Sequence, residues 1–203
     1  MPLAVPRSYL DTSVVISLII HDSCREDANN LMEEAPKPHC VSTWTLAEAL
    51  GALSEGIRSG SSKGYKLLRE GMARRGIPYL STSPEVFNYL TERLSEWITE
   101  NGVEVCDDLI DVAELEVGDR PVRAFWAIRD TAELATRLGL KAADAMHLAY
   151  VRRLCPGLLL TVDSDFTRIA EWIRFLGIEV RGLPCKKEDS EGGKAESAQG
   201  RAL

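Results

Sequence analysis

Apolar and polar positions along this chain fall into blocks that switch between the two-residue period of a strand and the 3.6-residue period of a helix. Arg7-Ser8-Tyr9-Leu10 is a short β-favouring run, Asp11-Thr12-Ser13 follows it, and Val14 to Ile20 is almost wholly apolar. This predicts a strand, a tight turn and a buried helix. His21 to Glu34 is polar and predicted helical, ending before Pro36. His39-Cys40-Val41-Ser42 predicts a second strand, after which Ser42 or Thr43 caps a helix running to about Ile57. Leu46, Leu50, Leu53 and Ile57 form one apolar stripe on that helix, and Glu48 is expected on the opposite face with Gly51 and Glu55. Ile77 to Leu80 predicts a short extended piece. Ser83-Pro84-Glu85 is a strong helix start. That helix runs to Glu100, stops at Asn101-Gly102, and carries Phe87, Leu90, Leu94, Trp97 and Ile98 as its apolar face.

Farther on, Phe125 to Leu138 is a predicted helix closed by Gly139. Lys141 to Tyr150 is helical and apolar almost all round, as a buried helix is. Leu158-Leu159-Leu160-Thr161-Val162 is the clearest buried strand in the chain. A helix from Phe166 to Leu176 ends at Gly177, and Ile178-Glu179-Val180 is a last strand. Strands alternating with helices predict an α/β fold with a parallel sheet covered on both faces. One domain is expected over 1–185, with an acidic insertion near 103–123. From Lys186 to Leu203 aromatics are absent and Gly, Ser, Lys and Glu dominate, so a disordered tail is expected.

Composition narrows the function classes. The 203 residues are 45% apolar and 27% charged, which suits one globular domain. No apolar run approaches the roughly 18 residues that span a membrane, and no signal peptide is visible, so a cytoplasmic protein is expected. Five cysteines (Cys24, Cys40, Cys106, Cys155, Cys185) are scattered, with no C-x-x-C pair. Reduced thiols are therefore expected, rather than a disulfide framework or a zinc site. The net charge of −7 argues against a broad basic surface and suits a protein that gathers cations. Against that balance, Arg58, Lys63, Lys66, Arg69, Arg74 and Arg75 face a single acid, Glu70. The segment is either a solvated helix face or a phosphate track. Val103 to Asp119 carries seven acids and no base, without an EF-hand pattern. It is read as an ordered acidic surface segment.

The candidate chemistry is carboxylate chemistry. Asp144 lies inside the apolar Lys141 helix, and an unpartnered buried carboxylate is very costly. Asp11 follows the first strand, where open α/β sheets place ligands, although Asp11 or Ser13 could simply cap the next helix. Glu48 either faces solvent or lines a cleft that Gly51 lets another group approach. Asp163 and Asp165 follow the Leu158 strand. Asp11 and Asp163 then share a sheet edge that Asp144 can reach and Glu48 could join. Such carboxylates raise one another's pKa, and a divalent cation resolves the repulsion. Oxygen ligands suit Mg²⁺ or Mn²⁺. Two ions would clamp both oxygens of a phosphodiester displacement.

Four pieces, in order, resemble the PIN-domain ribonucleases, especially the VapC-type toxins of toxin–antitoxin pairs. They are Leu10-Asp11-Thr12-Ser13, Thr45-Leu46-Ala47-Glu48-Ala49, the Leu140 to Ala149 run containing Asp144-Ala145-Met146-His147, and Thr161-Val162-Asp163-Ser164-Asp165-Phe166. The resemblance covers about Arg7 to Val180. It implies a three-layer PIN-like fold and a Mg²⁺- or Mn²⁺-dependent endoribonuclease. Carried over, Asp11, Glu48, Asp144 and Asp163 form the catalytic acidic set, with Asp11, Asp144 and Asp163 as metal ligands. Asp165 competes with Asp163, which is preferred because it follows the strand directly. Thr12, Ser13 and Thr161 would orient carboxylates or a water. His147 is expected to pack or hydrogen-bond rather than ligate. Arg58, Lys63, Lys66 and Arg69 would take RNA. An antitoxin partner and a homodimer are family expectations. The chain is longer than VapC-type domains usually are, the surplus being the acidic region and the tail.

Other readings stay open at this point. One is a PIN-type nuclease that processes RNA precursors without an antitoxin. Another is a non-catalytic module whose carboxylates hold a basic partner. A phosphatase of the haloacid dehalogenase type is disfavoured, because Asp11-Thr12-Ser13 lacks the second Asp of Asp-x-Asp.

Overall fold

The computed structural model of the chain describes residues 7–60, 63–79, 84–106, 112–117, 120–154, 157–183 and 185. In chain order the elements are β1 (Ser8–Leu10), α1 (Thr12–Ile20), α2 (Arg25–Glu34), β2 (His39–Ser42), α3 (Thr43–Ser59), α4 (Lys63–Arg74), α5 (Pro84–Glu100), β3 (Glu104–Cys106), β4 (Val112–Val117), β5 (Arg120–Phe125), α6 (Trp126–Leu138), α7 (Ala142–Leu154), β6 (Leu158–Thr161), α8 (Ser164–Ile173) and β7 (Glu179–Gly182). A single 3₁₀ turn, Arg174–Leu176, extends α8 to Gly177.

Five strands form one sheet in the order β3-β2-β1-β6-β7, and every neighbouring pair is parallel. The inner strands β1, β2 and β6 are buried along their whole length, as strands covered on both faces must be. Alternate side chains enter different layers. Tyr9, Cys40 and Leu159 pack with residues of α6, α7 and α8. Leu10, Val41, Leu158 and Leu160 pack against α1, α2 and α5. Each fully buried Leu or Val contributes about 1.5–3 kcal/mol relative to exposure. A smaller cluster joins Leu53 and Ile57 of α3, Leu68 and Met72 of α4, and Leu90 of α5. The result is the expected α/β three-layer fold.

The chain leaves β1 toward β2 on one side and returns to β6 on the other. The switch point of the sheet therefore lies between β1 and β6, where open α/β sheets bind ligands outside the carboxyl ends.

Several expectations need correction. Helix α2 begins at Arg25, because His21 adopts a left-handed φ of 55° and Asp22 accepts a hydrogen bond from the Cys24 amide at 2.9 Å, making a turn. Ile77 and Pro78 are irregular, Tyr79 is in a turn, and Leu80 lies outside the described residues. Phe87 is 59% exposed, and Val86 and Tyr89 take its place in the core face of α5. The acidic segment is not all insertion. Glu104–Cys106 adds an edge strand to the main sheet, with Val103 buried just before it, and only β4 and β5 form a separate antiparallel hairpin. The acids hid this strand because an edge strand keeps polar side chains in solvent.

The cysteine expectation is overturned. Cys24 and Cys185 form a disulfide across 161 residues of sequence, and Cys40 is disulfide-bonded as well. Tertiary return of the chain sets which sulfurs meet, and spacing carries no trace of it. The 186–203 stretch lies outside the described residues. Among the described residues, no helix is long and apolar enough to cross a membrane.

Candidate active site and metal centre

Asp11 stands at the switch point. The register pairs Leu10 with Leu160, so the next residues, Asp11 and Thr161, become neighbours. The Asp11 carboxylate caps α1 by accepting the Thr12 amide at 2.8 Å. Its other oxygen accepts Ser13 Oγ at 2.6 Å and Thr161 Oγ1 at 2.9 Å. Asp11 thus caps α1 and also stands at the edge of the sheet between β1 and β6. Ser13 Oγ also accepts the Val162 amide at 3.2 Å, and Thr161 Oγ1 accepts the Asp163 amide at 2.9 Å. These hydroxyls stitch the ends of β1 and β6 together.

Glu48 reaches the same place from α3. Thr45 and Ala49 are buried on that helix, and Glu48 sits on the flank of their face rather than with Gly51 and Glu55, which are exposed. A cleft admitted by Gly51 is therefore corrected: nothing lies within 4 Å of where its Cβ would stand. Glu48 Oε2 accepts hydrogen bonds from Thr12 Oγ1 and, at 2.8 Å, from His147 Nε2. Burial pushes the Glu48 carboxyl up, but the bonds from His147 and Thr12 outweigh it and hold it below its ordinary value.

His147 is buried on α7, one turn after Asp144. Its Nε2 is also 3.3 Å from Asp11 Oδ1, and its Nδ1 is 3.0 Å from the Tyr9 hydroxyl. Burial disfavours a charged imidazole, yet Asp11 and Glu48 together push its pKa above the ordinary value. Sequence reasoning placed His147 as a hydrogen-bonding residue but missed that it touches the carboxylates. The signal was its position three residues after Asp144 on a helix, which shares a face.

Asp144 is differently placed. Its carboxyl is pushed up, first by partial burial and then by Asp163, Asp165 and Asp11, with Lys141 opposing. These acids therefore share one field. Asp163 caps α8 by accepting the Asp165 amide at 2.8 Å. Asp165 pairs with Lys141 at 3.5 Å and Arg168 at 3.2 Å.

The basic segment is partly committed to structure. Arg69 donates to the carbonyls of Ile57 and Gly56 at the end of α3, at 2.8 and 3.3 Å, and lies 5.6 Å over the Tyr79 ring. Lys66 pairs with Glu70 at 3.8 Å and Arg58 donates to the Ser54 carbonyl at 3.3 Å. Arg75 pairs with Glu92. The Lys63 side chain is outside the described residues.

A model of the PIN domain family matches residues 8–171. This chain belongs to the PIN domain family. Membership carries the general expectation of a nuclease, a hydrolase of phosphodiester bonds. Among solved structures, this PIN domain is similar at 14% identity to a chain of VapBC2 from Rickettsia felis bound to a DNA fragment from their promoter. The match covers 87% of this chain and 98% of that one, with a TM-score of 0.45. No curated protein matches the chain.

PIN domains generally use a divalent metal, and the residues present fit one. Asp11, Glu48 and His147 each offer a ligand atom, all within 4.8 Å of one another. Asp144 adds a carboxyl whose ionised form burial and the acids Asp163, Asp165 and Asp11 disfavour, against the opposing Lys141. A hard cation is the group such a set accepts. The compact group shares Asp11 with the set that the motifs imply, and has Glu48 and His147 where the motifs imply Asp144 and Asp163.

Proposed function

We propose that this PIN domain is a metal-dependent endoribonuclease that hydrolyses RNA phosphodiester bonds as the toxin of a toxin–antitoxin pair. The observation that carries the nuclease reading is the meeting of Asp11, Glu48 and the Asp144–Asp163 field at the switch point of a parallel sheet. The toxin role rests on the resemblance of the four motifs to VapC-type proteins, and so do an antitoxin partner and a homodimer. A cytoplasmic setting belongs to that role and draws no support from the cysteines, now that Cys24 and Cys185 are bridged.

Asp11, Asp144 and Asp163 would hold Mg²⁺ or Mn²⁺, with Glu48 completing the acidic set. When bound, such an ion supplies positive charge against the phosphodiester and activates the attacking water. The chain's own residues do the rest. Thr12, Ser13 and Thr161 fix the two Asp11 oxygens and Glu48 before any ligand arrives, which removes reorganisation from the reaction. Asp163 is favoured over Asp165, because Lys141 and Arg168 already neutralise Asp165. Arg58, Lys63, Lys66 and Arg69 are proposed to meet the RNA backbone, and among them Arg69 has the least freedom to do so.

Cleavage of a structured and an unstructured RNA, with Mn²⁺, with Mg²⁺ and with chelator, tests this on the wild type and Asp144→Asn. Metal-dependent cleavage lost in the variant is expected. Equal cleavage by both would refute the site.

A further inference from the structure

Behind the carboxylates lies a buried polar unit to which the nuclease reading gives no part. Tyr9 and His147 are 0% and 2% exposed. The Tyr9 hydroxyl is 2.7 Å from Ser42 Oγ, 2.7 Å from Thr45 Oγ1 and 3.0 Å from His147 Nδ1. A phenol has one proton to give and can accept from its other neighbours, so this cluster is satisfied within itself. The opposite edge of the imidazole faces the site, with Nε2 at 2.8 Å from Glu48 Oε2 and 3.3 Å from Asp11 Oδ1. Ionised carboxylates only accept hydrogen bonds. Nε2 must therefore carry a proton whatever the charge of the ring, while Nδ1 can give to or take from the Tyr9 hydroxyl. The rings of Tyr9 and Phe166 meet the imidazole edge to face, at centroid distances of 5.8 and 6.2 Å, and hinder its rotation.

We propose that Tyr9 and His147 are positioning residues: the Tyr9–Ser42–Thr45 cluster locks His147 with its Nε2–H toward the site, and that donor holds Glu48 beside Asp11. Two carboxylates so close repel; Thr12 Oγ1 holds Glu48 alone, whereas Nε2–H faces both carboxylates at once. The inference rests on the nuclease reading in so far as Glu48 and Asp11 are the functional pair.

The test uses the full chain in three measurements. Nitrogen-15 spectra of the metal-free wild type report the imidazole protons, and a proton on Nε2 is expected. Mn²⁺ affinity by calorimetry, and kcat and KM for RNA, are compared among wild type, His147→Leu, His147→Gln and Tyr9→Phe. His147→Leu is expected to weaken Mn²⁺ binding and lower kcat by about 10–100-fold, the usual cost of losing an outer-shell partner. His147→Gln, whose amide N–H can stand in for Nε2–H, should stay within roughly tenfold of wild type. Tyr9→Phe should fall between them in kcat with KM unchanged. A bare Nε2, a Gln variant as damaged as the Leu variant, or a folded Leu variant equal to wild type would each overturn the proposal. If the wild type shows Nε2–H and binds Mn²⁺ but cuts no RNA, the nuclease reading fails and the positioning role stands. If it cuts RNA and Tyr9→Phe and His147→Leu cut equally well, the positioning role fails and the nuclease reading stands.

Discussion

The two halves of the site treat the same functional group in opposite ways. Asp11 and Glu48 are well supplied with donors: one backbone amide, three hydroxyls and an imidazole serve both Asp11 oxygens and Glu48 Oε2. The Asp144 carboxyl is pushed up by partial burial and by three other acids against the opposing Lys141, whereas Glu48 is held down. Exposed Lys141 and Arg168 serve the rim, through Asp165. The inner pair is built by the fold and stays built without a ligand. In the proposed function a cation would complete the outer acids. Asp11 is buried and must be satisfied within the fold; Glu48 and Asp144 are both half-buried, and they differ in the donors that reach them rather than in burial.

The largest test of this contrast is catalytic. Asp11→Asn and Asp144→Asn should each lower RNA cleavage by about 10²–10³-fold or more, the scale on which a single electrostatic group in a reaction site acts. Cleavage by either variant within tenfold of wild type would remove that residue from the site.

Metal binding comes next. Mn²⁺ at about a hundred times its dissociation constant stabilises a folded state by about 2.7 kcal/mol. The wild type should show that rise in melting temperature, and Asp144→Asn little of it. An equal shift in both would move the ion away from the outer acids.

Stability without metal should then separate the halves. Asp11→Ala leaves the Ser13 and Thr161 hydroxyls and the Thr12 amide short of an acceptor, a cost of about 1–3 kcal/mol in thermal or denaturant melts. Asp144→Asn removes a carboxylate whose charge the fold disfavours, so its metal-free melting temperature should equal or exceed that of wild type. A marked loss in Asp144→Asn would mean that the outer half is as tightly built as the inner.

The smallest effect is the pH slope of metal-free stability. The His147 pKa is raised on folding, so its contribution is fully present below about pH 6.5, the unfolded value, and is lost as pH rises through the folded one. The Glu48 pKa is lowered, so its contribution is present above about pH 4.5 and is lost as pH falls through the folded value. Stability from this pair should plateau between those values, and the alkaline decline should flatten in His147→Gln. A decline of the same slope in that variant would assign it to another group.

Much of this was legible from sequence. Much of the order of strands and helices follows from where apolar runs change period, as in Leu158–Thr161 or Val14–Ile20, whereas β3, β4 and β5 lay hidden in the acidic segment. The acids followed from chemistry: an Asp inside an apolar helix and an Asp directly after each of two buried strands are costly unless something uses them. Spacing along the chain could not say which groups would touch. Residues 36 and 135 positions from Thr12 meet it only because β1 and β6 lie side by side and α3 and α7 flank them. The same holds for His147 with Glu48, for Arg69 spent on the end of α3, and for Cys24 with Cys185. Local pattern set the elements, since burial of one face acts residue by residue. Their mutual contacts were decided only by tertiary packing, since a hydrogen bond or a disulfide depends on atoms being within a few ångströms and not on how far apart they stand in sequence.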